Sequence, residues 1–456
     1  MGTLLLREHQ QIVLMTPALP TMLRKLSMGV SIAMAACTAV AGTEPASAGT
    51  DAPAFKSTAC PASVAEVADC HAARDGNGAW LLVAIPKQWN HRLLVHAHGG
   101  PRLTVPKDGD SAEDLDRFAV MVRAGYAWIG STYHRGGYGV RMAAADVDRS
   151  REIFWTKWGR PQRTLLHGQS WGGNVATKAA ELYALDGEGR ANYDGVLITN
   201  GVLSGGSRAY RFRADLRAVY QYVCRNHPKA DEAQYPLWQG LPADARMDRD
   251  ELRRRVDDCT GIDTAPVKRS ARQAANLRDI LAVTGIEEKQ LVAHLAWATF
   301  HFRDLVQKRL DGRNPFDNSK TLYAGSRDDA ALNAGVERFA ADPRALARLA
   351  YDADLSGLIV LPTLTVHARH DPVATPHGDA LYAAVVDAAG RGGLLAQATT
   401  DEAEHSRMHN ATYLGALASL EAWLDTGVRP GAAAIQARCI GLVGDAAECR
   451  FLPPLP

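Results

Sequence analysis

Thr164-Leu165-Leu166-His167-Gly168-Gln169-Ser170-Trp171-Gly172-Gly173 sets a serine in the pattern G-x-S-x-G, directly after a short apolar run and ahead of a helical one. A serine that is to attack a carbonyl must project from its sheet on a very sharp strand-to-helix turn, which strains its backbone. The residues two before and two after then crowd each other and must be nearly free of side chain. Gly168 and Gly172 meet that demand, and Gly173 lets the following helix approach closely. The plainer reading of the same serine is a helix-start residue capping backbone amides.

Working outward, the chain alternates two periods. From residue 79 the stretches 79–85 and 92–97 read as strands, 110–124 as a helix, 126–133 as a strand and 142–158 as a helix. A strand at 163–167, a helix from 171 to about 185 and a strand at 194–199 follow. Strands alternating with helices of this length predict a mostly parallel central sheet flanked by helices on both faces. The alternation stops over 205–354, where charged helical patterns at 248–258 and 287–310 predict a mainly helical insertion. It resumes with a strand at 358–367, a helix at 376–389, a strand at 393–399 and a helix at 410–424.

A second element precedes the serine. Leu93-Leu94-Val95-His96-Ala97-His98-Gly99-Gly100-Pro101 is a strand running into H-G-G-P. Acyl transfer needs two fixed N–H donors for the oxyanion, one following the nucleophile and one from the loop after such a strand. Trp171 and Gly100 are the candidates, since Pro101 has no N–H to give. An ordinary Gly-Gly-Pro turn is the bland alternative.

Together H-G-G-P, G-Q-S-W-G-G, an Asp after a late strand and a His after the last strand resemble the α/β-hydrolase superfamily. The resemblance spans about residues 79–203 and 357–425 and implies the fold class α/β, an α/β-hydrolase fold. It implies a catalytic Ser170, with Asp371 as acid and His405 as base, in the chain order Ser, acid, His. His409 is the competing base and is read as the start of the final helix; Asp354 is the competing acid. Asp401, Glu402 and Glu404 flank His405 and read as a solvated loop. His367 and His370 form H-x-x-H, without the helical spacing or nearby cysteine of a metal site, so no metal is expected. The insertion falls where this family places a cap or lid, which divides the chain into 1–48, 49–204 (core, first part), 205–354 (cap) and 355–456 (core, second part, and C-terminal tail).

The roles follow from a proton problem. A serine hydroxyl is a weak nucleophile near neutral pH, so an imidazole must take its proton as it attacks. The expected activity is hydrolysis of carboxylic esters with no cofactor. The alternative is an amidase or aminopeptidase, since the same motifs are similar to those of proline iminopeptidases, whose caps hold a substrate ammonium with carboxylates. Asp215, Asp231, Glu232 and Asp244 are available in the insertion. A third reading is a non-catalytic binding protein on a hydrolase scaffold. Trp238, Trp297, Phe300 and Phe302 either line an apolar pocket or form the insertion's own core.

Composition bounds the rest. The 456 residues carry 51 Lys and Arg against 50 Asp and Glu, a formal net charge of +1, with 46% hydrophobic and 22% charged residues. That excludes wholesale disorder and leaves no basic footprint for nucleic acid. The partner expected is a small-molecule ester or amide substrate. Beyond residue 50 no apolar run approaches the roughly 18 residues that span a bilayer. Arg24 and Lys25, the apolar stretch 28–41 and Ala46-Ser47-Ala48 read as a secretory signal over 1–48, which predicts a secreted or periplasmic protein. Lipid anchoring at Cys37 is the alternative. The other six cysteines, Cys60, Cys70, Cys224, Cys259, Cys439 and Cys449, fall into three sequence-local pairs, expected as disulfides in an oxidising compartment; buried free thiols are the alternative.

Overall fold

The computed structural model describes residues 53–455. The segment 1–48 that reads as a secretory signal, with Cys37, lies outside the described residues. Among the described residues ten strands form one sheet: β1 (Lys56–Thr58), β2 (Ala68–Arg74), β3 (Trp80–Pro86), β4 (Arg92–Ala97), β5 (Ala127–Ser131), β6 (Arg163–Gln169), β7 (Gly195–Thr199), β8 (Thr363–Ala368), β9 (Leu395–Thr400) and β10 (Phe451–Leu452). Their order across the sheet is β1-β2-β3-β5-β4-β6-β7-β8-β9-β10. The pairs from β5–β4 through β8–β9 are parallel, and β1–β2, β2–β3, β3–β5 and β9–β10 are antiparallel.

The parallel strands are buried along nearly their whole length because helices cover both faces. In β4, Leu93, Val95 and Ala97 join one core layer while Leu94 joins the other; in β7, Val196 and Ile198 oppose Leu197 in the same way. The helices Val140–Trp158 and Trp171–Tyr183 supply the first layer, and Asn410–Thr426 with Ala432–Val443 the second. This is the α/β-hydrolase fold. From β4 the chain winds outward to β5 and then returns past β4 to β6. Such a reversal of direction opens a crevice at the carboxyl ends of the two central strands, where the loop 98–101 and Ser170 lie.

Between β7 and β8 the chain is helical and has a core of its own, in which Leu216 and Tyr220 meet Leu252, Val256, Leu277, Ile280, Leu291 and Leu295. The pattern at 287–310 is regular α-helix only over Leu291–Ala296; wider turns follow at Trp297–His301 and Asp304–Arg309. The stretch 110–124 is two helices, Ala112–Arg117 and Ala119–Arg123, parted at Phe118, whose buried ring packs on His96 and Tyr413. The strand expected from 358 begins only at Thr363, after Pro362, which has no N–H for a ladder. Three disulfides join Cys60–Cys70, Cys224–Cys259 and Cys439–Cys449. The last pins the helix Ala432–Val443 beside the short edge strand β10. Among the described residues no helix is long and apolar enough to cross a membrane.

Candidate active site

Ser170 follows β6 at φ 60°, ψ −129°, a left-handed conformation that is strained for any residue with a Cβ. The surroundings hold it there: its N–H donates to the Asn200 carbonyl at 3.1 Å, and its own carbonyl accepts from Val202 N–H at 2.9 Å. The crowding anticipated from the motif is real. A Cβ on Gly168 would lie 2.2 Å from the Gly172 carbonyl oxygen, and one on Gly172 would lie 2.1 Å from that of Ala97.

Two distant segments meet this corner. His405, in the loop after β9, lies with Nε2 2.7 Å from Ser170 Oγ and Nδ1 2.7 Å from Asp371 Oδ2. A carboxylate only accepts, so Nδ1 carries the hydrogen and Nε2 is left to accept the hydroxyl proton of Ser170. The Asp371 side chain is wholly buried and that of His405 is 11% exposed. Burial opposes the charge on Asp371, but hydrogen bonds from His367 and His405 outweigh it and hold the carboxyl down at about 2. The turn amides of Val373 and Ala374 also donate to Asp371 Oδ1, at 2.7 and 3.0 Å.

The His405 loop is gripped by amide side chains the sequence reading passed over. Gln169 Nε2 donates to the His405 carbonyl at 2.6 Å and Asn200 Nδ2 donates to the same oxygen at 2.8 Å. Asn200 also accepts from Ala368 N–H at 2.8 Å, tying the ends of β7 and β8 to the loop. The only local signal for these residues is their place beside the serine and at the end of a strand.

Trp171 opens the helix Trp171–Tyr183, so its N–H belongs to the unpaired first turn, where the helix end favours negative charge. Gly100 sits at φ 70° in the loop after β4. The neighbouring Gly99 abuts the elbow, since a Cβ there would lie 3.4 Å from Ser170 Cβ. Among the described residues neither the Gly100 nor the Trp171 amide is spent on another main-chain acceptor. The loop is anchored from below: Tyr133 hydroxyl donates to the His98 carbonyl at 3.0 Å, and the His98 ring bonds buried Asp114 through Nδ1.

The competing residues lie elsewhere. His409 precedes the helix Asn410–Thr426 and pairs with Glu448 at 3.2 Å, and Asp354 is engaged by Ser207. Glu402 turns inward to Thr412 and His409 N–H, whereas Asp401 and Glu404 are exposed. His370 is exposed beside Asp401, but His367 is buried against Asp371 and Asp379. In the helical segment Asp215 accepts from Tyr323, Glu232 pairs with Arg255, and Asp231 and Asp244 are exposed. Phe302 is buried and stacks on Phe316, Phe300 is partly buried beneath Arg249, and Trp238 is partly buried against the main core.

That segment does reach the site through a cation. The buried Arg213 guanidinium donates to Val373 O at 3.4 Å and to His294 Nδ1 at 3.2 Å, and it faces the Trp297 ring. Trp297 is itself stacked between Tyr210 and His301.

No family model matches the chain, and no curated protein matches it. Among solved structures it is similar to an esterase from Aspergillus oryzae, at 14% identity and a TM-score of 0.44, covering 80% of each chain. Lipase A of Candida antarctica aligns at 12% identity and a TM-score of 0.42, over 88% of this chain and 94% of that one. The rice cell wall degrading esterase LipA of Xanthomonas oryzae aligns at 13% identity and a TM-score of 0.37, over 78% and 89%. Likeness this remote transfers no activity.

Proposed function

We propose that the protein is a secreted serine hydrolase that cleaves carboxylic esters through Ser170, His405 and Asp371. The observation that carries the reading is one imidazole bridging a strained serine hydroxyl at 2.7 Å and a buried carboxylate at 2.7 Å. As Ser170 Oγ attacks the ester carbonyl, His405 Nε2 takes its proton and Asp371 stabilises the resulting imidazolium. The carbonyl oxygen becomes an oxyanion facing the Gly100 and Trp171 amides, each such donor being worth roughly a hundred- to a thousandfold in rate. His405 then protonates the departing alcohol, leaving an acyl-serine. A water, deprotonated by the same imidazole, releases the acid and restores the hydroxyl.

The helical segment 205–354 serves in this reading as the cap. Its contributions beside Asp371 are His294 and the Arg213 cation behind it, neither of which offers a counter-charge to a substrate ammonium, so an ester is preferred to an aminopeptidase substrate. Three disulfides and the segment 1–48 support export. A parallel panel of chromogenic acyl esters and aminoacyl anilides, with fluorophosphonate labelling mapped to a peptide, tests the reading. Ester turnover and a label on Ser170 are expected. An unlabelled protein ends the serine mechanism, and anilide-only turnover ends the ester assignment.

A further inference from the structure

Behind Asp371 lies a second histidine, His367, on β8 and entirely buried. Its Nδ1 bonds Asp379 Oδ2, from the first turn of the helix His377–Ala388, and Thr365 hydroxyl donates to the other oxygen of that carboxylate at 2.8 Å. Its Nε2 faces the Ala374 carbonyl at 3.0 Å and Asp371 Oδ2 at 3.4 Å. Both ring nitrogens therefore meet only oxygen acceptors. A neutral imidazole would turn a lone pair on one of them, whereas an imidazolium donates at both ends.

We propose that His367 is a positioning residue of the hydrolytic site: held as a buried cation by Asp379, it braces the Asp371 carboxylate behind His405 and partly neutralises it. Serine, imidazole, carboxylate, imidazolium and carboxylate thus form one chain from Ser170 to Asp379. Burial works against the charge on His367, but Asp379 and Asp371 outweigh it and raise the ring to about 10. The positive end of the pair is the end nearer Asp371. It dilutes the field that Asp371 exerts on His405 and so loosens the carboxylate's hold on the imidazolium that forms during turnover. From the helical segment, His294 senses Asp371 and His405, with Arg213 behind it, and His370, Asp401, Glu404 and His377 lie on the neighbouring loops and helix start; substitutions at His367 and Asp379 leave all of them in place.

This inference rests on the serine-hydrolase reading, and the two fail separately. The double variant His367→Gln/Asp379→Asn removes both charges without stranding either one. Its kcat is expected to fall about ten- to a hundredfold, as for other groups that orient a catalytic ligand from behind. KM should stay within about twofold, because His367 touches no substrate. The acid limb of kcat/KM should move up by about one pH unit. In the wild type, 15N-histidine NMR at pH 9 should show His367 with both ring nitrogens protonated, a signal lost in Asp379→Asn. A neutral His367 ring at pH 9, or a double variant with unchanged kcat and acid limb, overturns the proposal. Should the double variant not fold, the wild-type spectrum decides. An unlabelled Ser170 would instead sink the serine reading and leave the spectrum to judge the ion pair alone.

Discussion

Two histidine–carboxylate clusters lie in this sheet, and they behave in opposite ways. On β4, on β6 and in the loop after β4, His96, His167 and His98 surround the carboxylate Asp114: His98 bonds it, His96 stands 3.8 Å from it, and His96 and His167 meet Nδ1 to Nδ1 at 2.9 Å. Burial, against the pull of Asp114, takes His96 down to about 4, and burial together with His96 pushes His167 well below its usual range. At the ends of β8 and β9, His367 and His405 face two carboxylates, Asp371 and Asp379. There the buried ring gains charge. The difference teaches that burial alone does not set a histidine's state: the ratio of carboxylates to rings does, because each charge taken from water needs its own counter-charge. The first cluster is sealed by Phe118 and Trp128 and anchors a loop; the second ends at the partly exposed Ser170.

The largest test of that contrast is at the open end. Ser170→Ala and His405→Ala should each lower kcat for a chromogenic ester by about 10⁴- to 10⁶-fold with circular dichroism unchanged, while His409→Ala should stay within about twofold. In the sealed cluster, Asp114→Asn removes the one carboxylate and should cost about 2–4 kcal/mol in urea unfolding, with a far smaller loss of turnover; a catalytic loss to match Ser170→Ala would erase the distinction. Between the clusters, Asn200→Ala frees the His405 loop and should lower kcat about tenfold, read at saturating substrate. The gentlest effect is a pH slope. A ring whose folded pKa is raised stabilises the fold fully below its unfolded value and loses that contribution as pH rises through the folded one. From pH 6.5 to about 10 the wild type should therefore lose stability relative to His367→Gln/Asp379→Asn, by no more than about 1.4 kcal/mol per unit. A flat difference in urea midpoints would mean that His367 is neutral.

Much of the fold was legible because its signals are local. Glycines at 168 and 172 and apolar runs of strand length act within a few residues, and the elbow and the parallel strands agree with them; the three disulfides agree with the expected local pairing, at separations of 10, 35 and 10. The strands β1, β2 and β10 were not anticipated, being short, edge-placed or polar-faced, nor was the helix Ala432–Val443, which buries only Ile435 and Cys439. Ser170, Asp371 and His405, chosen by motif and chain order, come within hydrogen-bonding distance. Their supports were invisible: Gln169, Asn200, Asp114 and Asp379 are ordinary polar residues until a partner is known.

The amino-acid sequence by itself determined where the backbone must turn sharply and which residue types stand at the strand ends, since sterics and periodicity operate along the chain. Only the tertiary structure decided which histidine carries charge and which carboxylate it answers to. Sheet register sets those pairings, bringing Asn200 to Ala368 and His405 to Ser170 across 168 and 235 residues of chain.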